Sequence, residues 1–428
     1  MNNQYQNSNK LLNHAEKYIP LGSQTFSKSK MSFPEGASPM FIERGEGARV
    51  WDVDGNQYTD YVSGLLAISL GYQDKDVNHA VINQLGQGVT FSLPHRLESE
   101  LAELLTKHIP CAEMVRFGKN GSDATSAAIR IARAYTRKER IAVCGYHGWH
   151  DWYIGSTTRD LGVPKLTKSL THTFKYNDFD SLKALLEQYP NEFAAIIMEP
   201  MNIDYPKSGF LESVRALATQ QQCLLIFDET ITGFRFHMGG AQALFGVTPD
   251  IATFGKGMGN GFPISAVVGK KPVMQLMEDI FFSGTFAGET LSLAASKATI
   301  NKIEQHQVIE HISTLGEKLL SGLEHLIKLT NCQWLGTSGH PSWSFVHFSN
   351  VNNNDALTIK SLFIQEMAER GILLAASHNL SFAHTEEDID YLLACYKEVI
   401  ILINSAIDND ELDAQLKGKP LEAVFKVR

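Results

Sequence analysis

Short apolar segments alternate with amphipathic segments through the middle of the chain. From about residue 113 onward, strand-length apolar runs recur as MVRF, IAVCGY, FAAIIMEP, CLLIFDE, IATFG and ISAVVG. Between them lie segments with the helical spacing of apolar residues, among them ATSAAIRIARAYTR and LESVRALATQQQ. This alternation predicts βαβ units and an α/β fold whose mostly parallel sheet is covered by helices on both faces.

The two ends of the chain have a different pattern. Near the start, FIERGEGARVWDVDGNQYTDYV predicts short strands with a tight turn at Asp54 and Gly55, a dipeptide that tolerates the positive φ angles of hairpin turns. After about Leu291 the pattern predicts long helices. One of these is expected to begin after Thr385, because three acidic residues follow that capping residue.

The length of the chain also argues for more than one domain. With 428 residues it is too long for one simple core. Together with the pattern, this predicts an N-terminal segment over residues 1–59, a large domain over 60–310 and a C-terminal part over 311–428. The two terminal parts are expected to combine into one smaller α+β domain.

Composition and charge argue against two classes of partner. The chain has 47 acidic and 38 basic residues and a net charge of −9, which argues against binding to a nucleic-acid backbone. The longest aliphatic run near the end, 399–403, is too short to span a bilayer, and the start has no apolar signal segment. We therefore expect neither a nucleic-acid nor a membrane partner.

The cysteines indicate the compartment. All five are scattered and none forms a CxxC pair, which suits reduced thiols better than a disulfide framework. The sequence therefore predicts a cytoplasmic protein.

Several polar segments follow predicted strands directly, where ligands of open α/β sheets gather. In GKNGSD, Gly121 and Ser122 lie between a strand and a helix start. Free backbone N–H groups and the positive end of the helix favour a phosphate there. An ordinary helix cap formed by Ser122 or Asp123 is the alternative interpretation.

The segment CGYHGWHD offers an aromatic side chain at a strand end. Tyr146 could stack on a flat heterocycle, or it could be an ordinary rim aromatic. His147, His150 and Asp151 together resemble metal ligands. No further ligand segment of matching character accompanies them, so we predict no metal site.

Asp228 ends the apolar run CLLIFD, so its carboxylate is expected to be poorly solvated. A buried carboxylate needs a cationic or hydrogen-bonding partner. A protonated pyridine nitrogen would serve, and a structural salt bridge or a metal are the alternatives.

Lys256 follows the strand IATFG and has glycine at positions 255, 257, 259 and 261. A lysine among glycines can approach a planar ligand closely, and a desolvated lysine is nucleophilic at neutral pH. A dinucleotide-binding loop is excluded because Phe262 stands where its third glycine would be. A loose glycine-rich loop is the remaining alternative.

Taken together, these segments resemble the class III aminotransferases of pyridoxal 5'-phosphate (PLP) fold type I, and most closely the glutamate-1-semialdehyde 2,1-aminomutase branch. The resemblance runs from about Leu21 to the C-terminus. It rests on GEGARVWDVDGNQYTDYVSG, GSDATSAAIRIARAYT, GYHGWHD, LLIFDETITGFR, PDIATFGKGMGNGFP, SGTFAGETLSLAA and AHTEEDID. It implies PLP as cofactor and a mostly parallel sheet of the seven-stranded type in the large domain.

The resemblance also implies a role for individual residues. Lys256 would hold PLP as a Schiff base and shuttle a proton as base and acid, and Asp228 would pair with the pyridine nitrogen. The other expected cofactor-binding residues are Gly121 and Ser122 at the phosphate, Tyr146 and Thr230 on the two ring faces, Glu199 close to the cofactor, and Thr285 at the phosphate held by the partner subunit. The role of Thr285 makes a homodimer with shared active sites the expected active unit.

Departures from the family lie where substrate is expected. Lys28 stands where the aminomutases carry an arginine taken to hold the substrate carboxylate, and lysine is a point charge without the bidentate fork. Glu289 and Thr290 replace Asn and Pro, and Thr230 replaces the usual valine. The loop before AHTEEDID is shortened to SHNLSF.

These departures favour a transaminase with a different substrate. The expected reaction moves an amino group from an amino acid, such as glutamate, to an aldehyde or ketone, and sugar-pathway aminotransferases are similar in this respect. One alternative is the intramolecular aminomutase reaction, against which Lys28 counts. Another is a non-catalytic PLP-binding protein, against which the presence of both Lys256 and Asp228 counts.

Overall fold

The computed structural model describes residues 3–352 and 354–422. The helices are α1 (Gln6–Ala15), α2 (Ser63–Leu66), α3 (Lys75–Leu85), α4 (Arg96–His108), α5 (Gly121–Thr136), α6 (Asp151–Ile154), α7 (Lys165–Lys168), α8 (Phe179–Gln188), α9 (Phe210–Gln220), α10 (Ala241–Phe245), α11 (Lys271–Met274), α12 (Thr290–Gln305), α13 (Val308–Leu329), α14 (Ala356–Glu369), α15 (Glu386–Asp408) and α16 (Leu412–Gln415). The strands are β1 (Ile42–Glu46), β2 (Arg49–Asp52), β3 (Gln57–Asp60), β4 (Met114–Gly118), β5 (Arg140–Cys144), β6 (Thr171–Thr173), β7 (Phe193–Met198), β8 (Leu224–Asp228), β9 (Ile251–Phe254), β10 (Ser265–Gly269), β11 (Leu335–His340), β12 (Trp343–Phe348), β13 (Ile372–Leu373) and β14 (Ser377–His378).

The large sheet has seven strands in the order β4-β10-β9-β8-β7-β5-β6. Strands β5 to β9 pair in parallel, and β10 runs antiparallel to both of its neighbours. The predicted mostly parallel α/β sheet is therefore confirmed. Each of the apolar runs named above contains one of these strands, whereas β6 is short and polar and gives no such signal.

The central strands are buried on both faces. Every residue of β7, β8, β9 and β10 is buried, which explains why these segments read as continuous apolar runs without alternation. Helix α5 contributes Ala128 and Ile131 to the same core cluster as Ile197 of β7 and Ile226 of β8. This packing holds the start of α5 against the ends of the strands.

Contacts within the chain define two compact units. Of the described residues, 75–309 form one unit and carry the large sheet, and the other unit combines residues 3–74 with 310–352 and 354–422. The boundaries predicted at 59/60 and 310/311 remain a prediction.

The second unit holds the elements of both chain ends. Strands β1, β2, β3 and β13 form one sheet, and β11, β12 and β14 form another. Gly55 has a φ of +88° in the turn between β2 and β3, as the hairpin pattern predicts. Thr385 caps α15 in a capping box with Asp388, as predicted, and Asp388 also forms an ion pair with Arg49 of β2.

The prediction that the chain after Leu291 is mainly helical is wrong over residues 335–348. There β11 and β12 pair as an antiparallel hairpin. The run WSFVHF of β12 is rich in aromatic residues, which favour a pleated, half-buried surface over a helix.

Helices that are both long and apolar enough to cross a membrane are absent from residues 3–352 and 354–422.

Candidate active site

A cavity of about 360 Å³ lies where the chain leaves the carboxyl ends of β4, β5, β7, β8 and β9. These ends meet at one edge of the sheet because the strands are parallel. Among the residues that line the cavity are Gly121, Ser122, Tyr146, Glu199, Asp228, Thr230 and Lys256. The structure thus brings together the residues that the sequence placed after separate strands.

Asp228 is held by hydrogen bonds on both oxygens. His147 Nδ1 lies 2.9 Å from Oδ2, and Oδ1 accepts from Thr253 Oγ1 at 2.9 Å and from Thr230 Oγ1 at 2.5 Å. Burial disfavours the charged carboxylate, but the hydrogen bonds from His147 and Thr230 outweigh it, so the pKa of Asp228 lies below its usual value. Asp228 is therefore a buried and ionised carboxylate.

His147 is a partner of Asp228 that sequence reasoning missed. Its Nε2 lies 3.1 Å from the carbonyl oxygen of Cys144, which can only accept, so Nε2 carries a hydrogen. Nδ1 faces the Asp228 carboxylate at 2.9 Å. The His147 ring is thus held between the Cys144 carbonyl and the buried carboxylate.

The other polar residues of the CGYHGWHD segment do not join His147. His150 Nδ1 lies 2.6 Å from Ser126 Oγ, and Asp151 is exposed at the start of α6. Across residues 3–352 and 354–422, no three His, Cys, Asp or Glu side chains are grouped so as to hold a metal ion.

Lys256 follows β9 in a conformation that few non-glycine residues adopt. Its φ is +44°, in the left-handed region, where backbone strain often marks a functional position. Burial lowers the pKa of the Lys256 ammonium, while the carboxylates of Glu199 and Asp228 oppose that change. A buried amine with a lowered pKa is available as a base and as a nucleophile.

Glu199 follows β7 and faces the same cavity. Its Oε2 accepts from the backbone N–H of Tyr146 at 3.0 Å and from Asn202 Nδ2 at 2.7 Å. Burial raises the pKa of the Glu199 carboxyl, and the charge on Asp228 acts in the same direction. Gly145 has a φ of +103°, and any side chain there would collide with the Glu199 carboxylate.

The start of α5 forms a site suited to an anion. Asn120 caps the helix in a capping box with Asp123, which leaves the first N–H groups directed out of the helix end. Ser122 Oγ accepts from the backbone N–H of Trp149 at 3.2 Å, so its own hydrogen can be donated into the cavity. A phosphate is the anion that such a helix end binds most readily.

These features fit PLP. The cofactor has a phosphate for the start of α5, a ring nitrogen for the Asp228 carboxylate and an aldehyde for the Lys256 amine. Hydrogen bonds with His147, Thr230 and Thr253 set the orientation of the Asp228 carboxylate before any ligand arrives.

Two predicted residues lie elsewhere. Thr285 is exposed and lines a different cavity of about 330 Å³, together with Lys119 and Phe286. Lys28 belongs to the other compact unit, where it lines a cavity of about 350 Å³ with Asp60 and Tyr72. Their roles remain predictions.

Comparison with known proteins places this site in a family. A family profile described as aminotransferase class-III matches residues 31–385. The 3-aminobutyryl-CoA aminotransferase of Cloacimonas acidaminovorans is 37% identical over 91% of this chain and 95% of its own length. A glutamate-1-semialdehyde 2,1-aminomutase of Roseiflexus castenholzii is 37% identical over 87% of this chain and 92% of its own.

Solved structures agree with the sequence relatives. The FumI protein of Sphingopyxis sp. MTA144, solved in its PLP internal aldimine form, superposes with a TM-score of 0.89 at 26% identity. The match covers 97% of this chain and 98% of FumI. The chain therefore belongs to the class III aminotransferase family and is a PLP-dependent transaminase of fold type I.

Proposed function

We propose that this transaminase moves an amino group between two separate molecules, from an amino acid donor such as glutamate to an aldehyde or ketone acceptor. The observation that carries the proposal is the Lys256 amine, which shares one cavity with the buried Asp228 carboxylate and the start of α5.

Each residue of the cavity has a task in this reaction. When bound, PLP supplies an electron-accepting ring that stabilises negative charge at a substrate carbon. Asp228 holds a proton on the ring nitrogen, and His147 and Thr230 keep Asp228 ionised and oriented. Lys256 Nζ would take a proton from the substrate carbon and return it at the next position, and its lowered pKa makes the neutral amine more available than that of an ordinary lysine.

The remaining residues bind and orient the cofactor. Gly121 and Ser122 would hold the phosphate, and Tyr146 and Thr230 would contact the ring. Glu199 would lie close to the cofactor, and it accepts the 3.0 Å hydrogen bond from the Tyr146 backbone.

The proposed active unit is a cytoplasmic homodimer in which Thr285 reaches the phosphate of the partner's cofactor. Phe281 and Phe286, in the same segment as Thr285, are 80% and 59% exposed. Large apolar side chains clustered on a surface are typical of an interface with another protein chain. All five cysteines are free and buried, which suits a reducing compartment.

Transfer between molecules is supported by Lys28, which lacks the bidentate fork of the aminomutase arginine. The relative from Cloacimonas acidaminovorans also bears the name of an aminotransferase that acts on an acyl-CoA amine. Acceptors to be screened therefore include sugar-type carbonyl compounds and keto acyl thioesters.

The experiment follows the two half-reactions separately. Each amino acid is added alone to the PLP-loaded protein, and conversion of the cofactor to its amine form is read from the visible spectrum. Carbonyl compounds are then screened for the reverse conversion. We expect glutamate to convert the wild-type protein and not Lys256→Ala. No conversion by any amino acid would contradict the proposal and favour a non-catalytic PLP-binding protein.

The aminomutase reaction is the second candidate, because the relative from Roseiflexus castenholzii is also 37% identical to this chain. It predicts that one compound, glutamate 1-semialdehyde, is isomerised with no separate donor or acceptor. Isomerisation faster than any transfer between two molecules would favour this candidate.

A further inference from the structure

An ion pair joins the starts of two helices in the unit that carries the large sheet. Lys119 Nζ lies 2.8 Å from Glu289 Oε2, and the two side chains are only 23% and 14% exposed. Lys119 directly precedes Asn120, the capping residue of α5, and Glu289 is itself the capping residue of α12. The pair therefore connects the anion-binding start of α5 to the start of α12.

Glu289 is a firm anchor for this contact. Its Oε1 accepts from the backbone N–H of Leu291 at 2.7 Å, and its Oε2 accepts from Ser292 Oγ at 2.6 Å. Burial disfavours the charge, but Lys119 and Ser292 outweigh it, so the pKa of Glu289 lies below its usual value. A carboxylate at a helix start is also favoured by the helix dipole.

The same region holds the segment that precedes α12. Residues 281–288 form this segment, and Thr285 lies in its middle. At its beginning, Arg130 Nη1 donates to the carbonyl oxygen of Phe281 at 2.6 Å, and Arg116 Nη2 donates to that of Phe282 at 3.1 Å. Arginines of β4 and α5 thus bind the beginning of the segment, and Lys119, in the turn between β4 and α5, binds Glu289 directly after its end.

We propose that Lys119 and Glu289 are positioning residues that set the distance between two phosphate contacts. One contact is made by Gly121 and Ser122 within a subunit, and the other is made by Thr285 of that subunit to the cofactor of its partner. The inference rests on the proposed function, because it takes both contacts from it. A segment held in place before the cofactor binds loses less conformational freedom on binding, so the cofactor is held more tightly.

The residue that follows Glu289 contributes to the same junction. The neighbouring Thr290 is buried, and its backbone N–H donates to the carbonyl oxygen of Val89 at 3.0 Å. This hydrogen bond ties the start of α12 to the chain that follows α3.

The first test removes the charges separately. In Glu289→Gln the amide oxygen can still cap α12, and Lys119→Met keeps an unbranched side chain one atom shorter than lysine and removes its charge. We expect PLP to leave either variant about threefold to tenfold faster than wild type, a size suited to a partly buried ion pair. The double variant should be no worse than the single ones, and Lys119→Arg should restore retention.

Lys297→Met is the matched control. Lys297 lies on α12 and forms an ion pair with Glu100 at 2.6 Å. Its loss should lower the melting temperature about as much as loss of Lys119, with no change in the rate of PLP release. Equal release rates for Lys119→Met and Lys297→Met would overturn the inference.

The second test asks whether the pair acts through Thr285. Lys119→Met is placed in a Thr285→Ala background, where it should have no further effect on PLP release. A full effect in that background would overturn the inference, because the pair would then act on the α5 turn alone.

A wild-type protein that retains no PLP would overturn the proposed function as well as the inference. If the wild-type protein shows normal half-reactions, but the effect of Lys119→Met on PLP release does not depend on Thr285, only the inference is overturned and the proposed function stands.

Discussion

His147 Nδ1 lies 2.9 Å from Asp228 Oδ2, while the opposite ring nitrogen lies 3.1 Å from the carbonyl oxygen of Cys144. The carbonyl fixes the orientation of the ring, so Nδ1 can only point at the carboxylate. The hydrogen bond with His147 offsets the cost of burying the charge of the Asp228 carboxylate and fixes the orientation of that carboxylate.

His147→Leu should raise the pKa of Asp228, because the principal hydrogen bond that lowers it is lost. A carboxyl with a lowered pKa stays ionised to lower pH, so the acid limb of the pH–rate profile should move upward in the variant. The half-reaction should also slow by about 10- to 100-fold, the cost of one hydrogen bond to a charged group. His147→Asn, which keeps a donor, should recover part of the rate. An acid limb that stays in place in His147→Leu would argue against this role.

Asp228→Asn should keep PLP bound through its phosphate yet slow the half-reaction by about a thousandfold or more, because the ring nitrogen loses its proton. Thr253→Val is the control, since it removes only the 2.9 Å hydrogen bond to Oδ1 and leaves the carboxylate. It should cost only about tenfold, because Thr230 still donates to the same oxygen. Stopped-flow spectra of the amino-donor reaction measure both rates. Near-normal turnover in Asp228→Asn would contradict the assigned role.

The main site residues could be predicted because each stands where a buried strand ends. Asp228 and Lys256 close apolar runs whose parallel pairing brings their ends together, and that geometry follows from the fold class. Gly121 and Ser122 likewise follow β4 at the start of a long helix. Local sequence was enough for these positions.

Partnerships across the fold could not be predicted in this way. His147 and His150 resemble metal ligands in the sequence, where no metal site was predicted, and in the structure His147 contacts Asp228 whereas His150 contacts Ser126. Lys119 and Glu289 are 170 positions apart, and neither segment contains a sequence signal that predicts their ion pair. Such pairs depend on how strands and helices pack, which one sequence does not reveal.

Lys28→Ala should weaken the use of an acidic amino donor and leave cofactor binding intact. Loss of its charge should cost roughly 1.5–3 kcal/mol in kcat/KM, the range for a hydrogen bond to a charged group. Lys30→Ala is the matched control, because Lys30 is already engaged with Glu16 at 2.5 Å. Donor kinetics that are unchanged in Lys28→Ala would remove Lys28 from the substrate site and leave the transaminase assignment untouched.

Hybrid dimers should show that Thr285 acts on the partner's cofactor. A Lys256→Ala subunit is paired with a Thr285→Ala subunit, each carrying a different tag for purification. If Thr285 acts across the interface, one site of the hybrid has both an intact Lys256 and an intact Thr285, and PLP retention there is normal. About half of the wild-type activity per dimer is then expected. Activity no higher than that of the Thr285→Ala homodimer would show that Thr285 acts within its own subunit.

The most direct measurement concerns Lys256 itself. The purified protein is treated with borohydride, digested and mapped by mass spectrometry, alongside Lys256→Ala. The account predicts that the reduced cofactor is found on the peptide containing Lys256, and that the variant carries none and gives no half-reaction. Reduced cofactor on a different lysine of the wild-type protein would contradict the central claim.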